Sequence, residues 1–154
     1  MKIAVFAGSF CPFTKGHEDI LQKVMPLFDT LYIAIGHNVR KQDIFSVEER
    51  KEWIERLYAG NDKIRVITYT GLTVDLCRQV GAQYMIRGIR NAADYQAEEE
   101  LYLVNAKLNP DVQTLFVPAS PEWAAVSSSM VRELWALKAD YSPFISYPLP
   151  ENQP

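Results

Sequence analysis

Cationic and hydroxyl side chains recur in this sequence directly after short apolar segments. They comprise a histidine, four longer cations and a run of serines: His17, Arg40, Lys41, Arg87, Arg90 and the serine run at 127–129. Guanidinium, ammonium and imidazole groups bind phosphate, and the free backbone N–H groups at a helix start attract anions. Residues of these types in this pattern predict a polyphosphate site, with phosphoryl chemistry as its candidate reaction.

The overall charge restricts which phosphorylated partners fit. The chain has 16 Lys and Arg against 19 Asp and Glu, a formal net charge of −3. Proteins that bind nucleic acid, or a membrane through a polybasic patch, carry a large excess of positive charge on the binding surface. We therefore expect no nucleic-acid and no membrane partner, and instead a small phosphorylated ligand in a locally basic pocket.

Each of these residues also has an ordinary structural interpretation. His17 could bond its own backbone in the first turn of a helix, and the serine run could only cap one. Arg87 and Arg90 could form surface ion pairs with Asp94 and Glu98, which contribute little stability.

Other phosphate and hydrolase motifs do not occur: Gly-x-Gly-x-x-Gly, the Walker A spacing and the nucleophile elbow are all missing from the sequence.

The elements that must position these residues follow from hydrophobic periodicity. Apolar segments predict strands at 3–6, 31–35, 64–69, 84–86 and 112–117, and helical patterns lie at 16–28, 46–58, 72–80, 93–108 and 127–137. The helix at 46 begins with a capping-box sequence, and the helix at 93–108 has Ala97, Leu101, Val104 and Leu108 on one face.

This alternation predicts an α/β fold. We expect a single doubly wound, Rossmann-like domain over 1–140, with a five-stranded parallel sheet and helices on both faces. In such folds ligands bind outside the carboxyl ends of the strands, where the cationic residues lie. A Pro-rich tail follows at 141–154, and the sequence leaves open whether it is an ordered lid or frayed.

Length and cysteine content agree with one intracellular domain. A chain of 154 residues, 48% of them hydrophobic, has room for one core. Cys11 and Cys77 match no metal-ligand spacing and are typical of a reducing compartment. No apolar run reaches the length of a membrane span, so we expect a cytoplasmic protein.

Two segments resemble the signature motifs of the nucleotidyltransferase superfamily. Residues 8–17, G-S-F-C-P-F-T-K-G-H, are similar to its T/H-x-G-H motif, and residues 127–132, S-S-S-M-V-R, to its S/T-S-S/T-x-x-R motif. Lys41 ahead of I-F-S-V-E-E-R, the segment I-R-G-I-R-N-A-A-D-Y at 86–95, and Glu122-Trp123 narrow the resemblance to the phosphopantetheine adenylyltransferase family. The similarity runs over residues 1–140.

The resemblance implies transfer of the AMP part of ATP to 4′-phosphopantetheine, giving dephospho-coenzyme A and pyrophosphate. It implies that His17 stabilises the transition state at the α-phosphate, with Lys41 and Arg90 as further catalytic residues. The implied phosphopantetheine site is Ser9, Lys41, Thr73 and Arg87. The implied ATP site is Ser9, Phe10, His17, Gly88, Ile89, Arg90, Glu98, Trp123, Ala124, Ala125, Val126, Ser127, Ser128 and Ser129. Mg²⁺, held mainly by ATP phosphates and water without assigned protein ligands, and a homohexamer are also implied.

The chemistry of the implied substrates suits this set of residues. A phosphomonoester is mostly dianionic at pH 7, so the attacking oxygen needs no general base. The protein must instead bring two anions together and neutralise the charge that builds on the α-phosphate. Near a helix start His17 is disfavoured as a cation, so we expect it to donate a hydrogen bond as neutral imidazole.

The sequence departs from the family pattern at two places. Cys11 stands where the family usually has Asp, and the Pro-rich tail replaces a segment that relatives often continue as a helix. Two alternatives therefore stay open. One is a related nucleotidyltransferase with another phosphorylated acceptor, and the other is a nucleotide-binding regulator whose catalysis is impaired by the loss of that carboxylate.

Overall fold

Five strands and five α-helices alternate along the chain. The computed structural model describes residues 1–38, 40 and 43–152. The elements are β1 Ile3–Gly8, α1 Lys15–Val24, β2 Thr30–Gly36, α2 Val47–Leu57, β3 Ile64–Tyr69, α3 Thr73–Val80, β4 Tyr84–Ile89, α4 Ala92–Leu108, β5 Gln113–Pro118 and α5 Ser128–Ala136. Single 3₁₀ turns lie at Met25–Leu27, Pro121–Trp123 and Ser142–Phe144. No helix in the described ranges is long and apolar enough to cross a membrane.

The predicted parallel sheet is confirmed, with strand order β3-β2-β1-β4-β5. β1 lies at its centre, paired with β2 from Ile3 to Gly8 and with β4 from Ala4 to Phe6. The chain builds outward from β1 to β3 and then returns to add β4 and β5 on the other side. Strand order therefore reverses between β1 and β4, which places the expected ligand crevice at the carboxyl ends of these two strands.

Both faces of the sheet are buried, as a parallel sheet requires. Phe6 of β1 packs into one cluster with Leu21 of α1 and Ile54 of α2, whereas Val5 packs into a second cluster with Val74 of α3 on the opposite face. All five side chains are less than 5% exposed. The start of α1 is therefore held rigidly beside the end of β1.

Most predicted element ends lie within two residues of the observed ones. The helix predicted over 16–28 is wrong at its end, because α1 stops at Val24 and Pro26 sits in a 3₁₀ turn. The strand predicted at 84–86 continues to Ile89, which carries its last residues into the crevice.

The apolar face predicted for α4 exists, but it is not packed against the sheet. Leu101, Val104 and Leu108 are 45–55% exposed, and no residue of the helix is buried. Tyr95 and Tyr102 of α4 contact the ring of Phe116 in β5 in edge-on arrangements.

The tail is ordered and packs against the domain over residues 141–152. Ile145 and Leu149 are buried in a third cluster with Cys11, Phe45 and Val131. This cluster lies apart from the two sheet faces, so the tail is attached beside the loop that follows β1.

Candidate active site

The β1–α1 loop (residues 9–14) forms the floor of the crevice. Phe10, Cys11, Phe13 and Thr14 are each less than 5% exposed. Phe10 has a φ of 46°, and its ring folds back so far that a Cβ on Gly8 would lie 3.0 Å from it. A larger residue at position 8 would therefore crowd the Phe10 ring.

Four carbonyl groups of this loop are each bonded by a side chain from another part of the fold. The donors come from α2, α5 and the tail. The pairs are Ser9 O with Arg50 Nη1 at 2.6 Å, Cys11 O with Arg132 Nη1 at 2.7 Å, Pro12 O with Ser128 Oγ at 2.7 Å, and Phe13 O with Tyr147 Oη at 2.5 Å. A buried carbonyl left without a partner costs about 1–3 kcal/mol, so these bonds fix the backbone of the loop.

His17 occupies the third position of α1 in a capping box. The Thr14 amide donates to Nδ1 of His17 at 2.9 Å, and the His17 amide donates to Thr14 Oγ1 at 3.4 Å. Because Nδ1 accepts, the hydrogen of the neutral ring lies on Nε2. Phe13 stacks on the imidazole at 5.2 Å between centroids, and Phe10 meets it edge-on at 5.0 Å. The ring is thus fixed with a single donor left for a ligand.

Electrostatics keep this imidazole neutral. Burial, together with the smaller effects of the positive charges of Arg90 and Arg87, lowers the pKa of His17 from 6.5 to about 4. The sequence predicted a neutral ring because of the helix start; the structure assigns the larger effect to burial. The backbone bond considered as a purely structural alternative is present and serves to orient the ring.

The first cleft has a volume of about 370 Å³ and opens above His17. Most residues of the predicted ATP site line it: Ser9, Phe10, His17, Gly88, Ile89, Arg90, Glu98, Trp123, Val126, Ser127 and Ser128. Ala124, Ala125 and Ser129 belong to the same segment but do not line the cleft. Gly88 has a packing reason to be glycine, because a Cβ there would lie 3.0 Å from Ile20.

A second, shallower cleft of about 710 Å³ adjoins the first. The two clefts share Gly8, Ser9 and Arg87. Thr73 does not line the second cleft directly, but its hydroxyl pairs at 2.8 Å with that of Tyr69, which does. Lys41, predicted to act here, lies outside the described residues.

Both predicted ion pairs of the arginines are present. Arg87 meets Glu98 through Nε and Nη2, each at 2.6 Å, and its Nη1 donates to Ala7 O at 2.9 Å. Arg90 pairs with Asp94 at 2.9 Å. All four residues line the first cleft, so the carboxylates hold the two guanidinium groups at its wall.

Arg50 is a structural residue that the sequence analysis missed. Its side chain is 1% exposed and donates to carbonyls of Ser9, Phe45 and Ser46 while pairing with Asp43 at 3.0 Å. A signal was available, because position 50 falls at helical spacing between Val47 and Ile54, on the apolar face of α2. A cation on a buried face indicates a specific set of acceptors.

Asp19 and Lys23 were also missed, and they hold the segment after β5. The carboxylate of Asp19 accepts from the amide and the hydroxyl of Ser120 at 2.9 and 2.8 Å. Lys23 donates to Pro118 O at 2.7 Å and pairs with Asp19 at 3.2 Å. These bonds place Trp123 against the first cleft, three residues after Ser120.

Carboxylates in the crevice are committed to arginines. Among residues 1–38, 40 and 43–152, no three His, Cys, Asp or Glu side chains are grouped to hold a metal ion. A cation bound here would therefore depend on ligand oxygens and water.

The lowered pKa of His17 predicts a pH-dependent stability. Between pH 6.5 and about 4 the unfolded chain binds a proton that folded His17 excludes. The free energy of unfolding should therefore fall as the pH drops through this window, by at most about 3 kcal/mol. Urea unfolding at several pH values should show this slope in the wild type and a flatter one in His17→Gln. An unchanged slope in the variant would contradict the assignment.

Replacing Arg50 should be far more damaging than replacing a surface arginine of the same helix. Arg50→Met leaves Asp43 and buried carbonyls unpaired, with an expected loss of about 3–5 kcal/mol in urea unfolding. The matched control is Arg56→Met, whose exposed pair with Glu52 should contribute less than about 1 kcal/mol. Similar losses in the free energy of unfolding of both variants would contradict a special structural role for Arg50.

Comparison with known proteins identifies the family. The cytidylyltransferase-like family model matches residues 5–134. A phosphopantetheine adenylyltransferase of Porphyromonas gingivalis is 47% identical over 143 residues, covering 93% of each chain. One from Cytophaga hutchinsonii is 41% identical over 146 residues, covering 95% of this chain and 97% of the relative.

Solved structures confirm the fold at low sequence identity. A putative nicotinate-nucleotide adenylyltransferase from Vibrio parahaemolyticus superposes with a TM-score of 0.70 at 14% identity, over 96% of this chain and 88% of that one. Together with the relatives and the signature motifs that meet in the crevice, the matches establish that this chain belongs to the phosphopantetheine adenylyltransferases of the cytidylyltransferase-like family.

Proposed function

We propose that this protein transfers the adenylyl group of ATP to 4′-phosphopantetheine, releasing pyrophosphate and forming dephospho-coenzyme A. The observation that carries the proposal is the junction of two clefts at Gly8, Ser9 and Arg87, beside the one donor atom of His17. A reaction that joins two anionic molecules needs two adjoining sites and a donor at their boundary. The names of the relatives supply the identity of the two substrates.

The first cleft is the proposed ATP site. The α5 N-terminus supports this assignment, since Ser127 caps the helix and Ser128 faces the cleft, where free N–H groups attract phosphate. Gly88 and the aromatic side chain of Trp123 also line this cleft. The full residue set implied by the family resemblance, including Ala124, Ala125 and Ser129 in the same segment, remains our proposed ATP site.

The second cleft is the proposed acceptor site. Its wall contains Arg87. Among the described residues, three of the five guanidinium N–H groups donate to Glu98 and to the Ala7 carbonyl. The other two N–H groups suit a phosphate at the boundary between the two clefts. Tyr69 also lines this cleft, and its hydroxyl pairs with that of Thr73 just outside the lining. Lys41, which lies outside the described residues, is proposed as a ligand of the acceptor phosphate and as a catalytic cation, as the family resemblance implies.

The reaction needs positioning and charge neutralisation rather than a protein nucleophile. An oxygen of the acceptor phosphate forms a bond to the α-phosphorus of ATP, while the bond between that phosphorus and the bridging oxygen of the β-phosphate breaks. His17 Nε2–H donates to a non-bridging oxygen of the α-phosphate as negative charge increases there, and Arg90 adds a positive field. Because His17 stays neutral, it needs no proton transfer in the step.

Mg²⁺ is the proposed cofactor. This ion commonly keeps several waters and binds substrate phosphates rather than a cage of protein ligands, which fits the crevice described above. When bound, it would neutralise part of the triphosphate charge.

We also propose a cytoplasmic location, because the two cysteines are unpaired, as is typical of a reducing compartment.

We propose that the chain works as a homo-oligomer, with the hexamer implied by the family resemblance. The supporting observation is the exposed apolar face of α4, where Leu101, Val104 and Leu108 are each 45–55% exposed. Contiguous apolar surface of this kind marks a protein interface. Glu98 of the same helix pairs with Arg87, so assembly would also steady the site.

The two alternatives are less favoured. A different phosphorylated acceptor is not supported by the names of the relatives, which specify phosphopantetheine. An impaired regulator was suggested by Cys11, but the loop that carries it is fixed by four side-chain bonds to its carbonyls without any carboxylate at position 11. The loss of Asp therefore does not imply a collapsed site.

An acceptor panel tests the proposed activity. Purified protein with ATP and Mg²⁺ should release pyrophosphate with 4′-phosphopantetheine, and much more slowly with nicotinamide mononucleotide or, using CTP, with a phosphorylated polyol. Mass spectrometry should identify dephospho-coenzyme A. In His17→Ala, turnover should fall about 10²–10³-fold while ATP affinity changes only a few-fold. Folded protein that releases no pyrophosphate with phosphopantetheine would overturn the proposal.

Charged substitutions on α4 test the proposed assembly. In solution the wild type should have a mass several times the 17.6 kDa of one chain. Leu101→Asp with Val104→Asp should reduce it to a monomer, because burying unpaired carboxylates in an interface is costly. Glu52→Lys, an exposed change on α2, is the control. Light scattering after gel filtration measures the mass, and a monomeric wild type would contradict the proposal.

A further inference from the structure

The tail touches the start of the catalytic segment at three places. Ile145 and Leu149 bury Cys11 in the third cluster, Ser146 Oγ donates to Glu18 at 2.7 Å, and Tyr147 donates to the Phe13 carbonyl. The contacted residues surround His17 in sequence. We propose that Tyr147 is a positioning residue for His17, acting through Phe13, so that the tail is part of the working domain.

The hydroxyl of Tyr147 is well placed to hold the loop. Its ring stacks on Trp53 of α2 at 5.4 Å with an interplanar angle of 26°, and its hydroxyl lies 2.5 Å from Phe13 O. Burial raises the pKa of this phenol above its ordinary range, so the group stays protonated and can donate. The stacking of the Tyr147 ring on Trp53 of α2 thus fixes the position of the donor hydroxyl.

Phe13 transmits this constraint to the imidazole. Its side chain is 1% exposed, and its ring lies nearly parallel to that of His17, at 25° and 5.2 Å. The adjacent Thr14 amide bonds Nδ1 of the same imidazole. Fixing the Phe13 carbonyl therefore fixes both the stacking surface and the bond that selects the tautomer, since the two lie on consecutive residues.

The far end of the tail is tied to α5. Trp135 Nε1 donates to Pro150 O at 2.7 Å, and Asn152 Nδ2 donates to the carbonyls of Trp135 and Ala136 at 3.2 and 3.0 Å. The N-terminus of α5 holds the neighbouring carbonyl of Pro12 through Ser128. The tail is therefore bonded to the C-terminal end of α5, while the N-terminal end of the same helix is bonded to the loop.

The chain offers a matched control within the same segment. Tyr141 is also a half-buried tail tyrosine, but its hydroxyl bonds only the amide and carbonyl of Leu149 among the described residues, at 3.1 and 3.4 Å. Tyr141→Phe removes a hydroxyl from the tail without removing a bond to the loop. Any effect due merely to loosening of the tail should appear in both variants.

The kinetic test rests on the proposed function, since it measures adenylyl transfer. In Tyr147→Phe we expect kcat to fall about three- to tenfold, the effect of one lost hydrogen bond, with KM for both substrates changed less than twofold. Tyr141→Phe should retain the wild-type kcat. Equal losses in the two variants, or no loss in Tyr147→Phe, would overturn the positioning role.

Imidazole NMR tests the same inference without catalysis. The chain has two histidines, so their ¹⁵N and ¹H signals can be assigned with His37→Gln as reference. Tyr147→Phe should shift or broaden the His17 ring signals, and Tyr141→Phe should leave them unchanged. If the wild type releases no pyrophosphate, the proposed function fails while this measurement still decides the inference. Unshifted His17 signals in Tyr147→Phe would refute it.

Discussion

The structure depends on satisfying the backbone of a buried loop. Loops normally run over the surface because their polar groups need water, yet residues 10–14 are almost fully enclosed between the sheet and the tail. Side chains from α2, α5 and the tail take the place of water at four carbonyls. The same bonds bring these elements together around the crevice, so the geometry of the site and the stability of the loop have one physical cause.

The electrostatics of the crevice follow from that enclosure. A site for two anions needs fixed positive charge, which Arg87 and Arg90 supply, and their carboxylate partners Glu98 and Asp94 hold the guanidinium planes in place. Positive charge and burial together exclude a second proton from His17. The imidazole is therefore suited to donating one hydrogen bond to a developing negative charge, and it cannot act as a general acid at neutral pH without first gaining a proton that its surroundings disfavour.

The sequence predicts the structural features that depend on local periodicity. It misses the contacts between residues that are far apart in the chain. Strand and helix positions, the doubly wound order and the meeting of motifs at strand ends all follow from patterns within a few residues. The bond between Arg50 and Ser9 spans 41 residues, and that between Tyr147 and Phe13 spans 134. A local pattern can mark Arg50 as a buried cation, but nothing local identifies the distant partner in either pair. α4 illustrates another limit, because periodicity predicts an apolar face for this helix but does not say whether the sheet covers that face, and in the structure no residue of the helix is buried.

Cys11 and the tail are best understood as one feature. In this chain the side chain at position 11 lies among Phe45, Val131, Ile145 and Leu149, where an ionised carboxylate without partners would be strongly disfavoured. A small apolar thiol fits that setting, and the carbonyl of the same residue is still bonded by Arg132. The loop is thus held by side-chain hydrogen bonds to its backbone carbonyls, and the tail supplies one of these bonds. The cysteine at position 11 and the position of the C-terminal segment therefore have a common explanation in the packing that joins them.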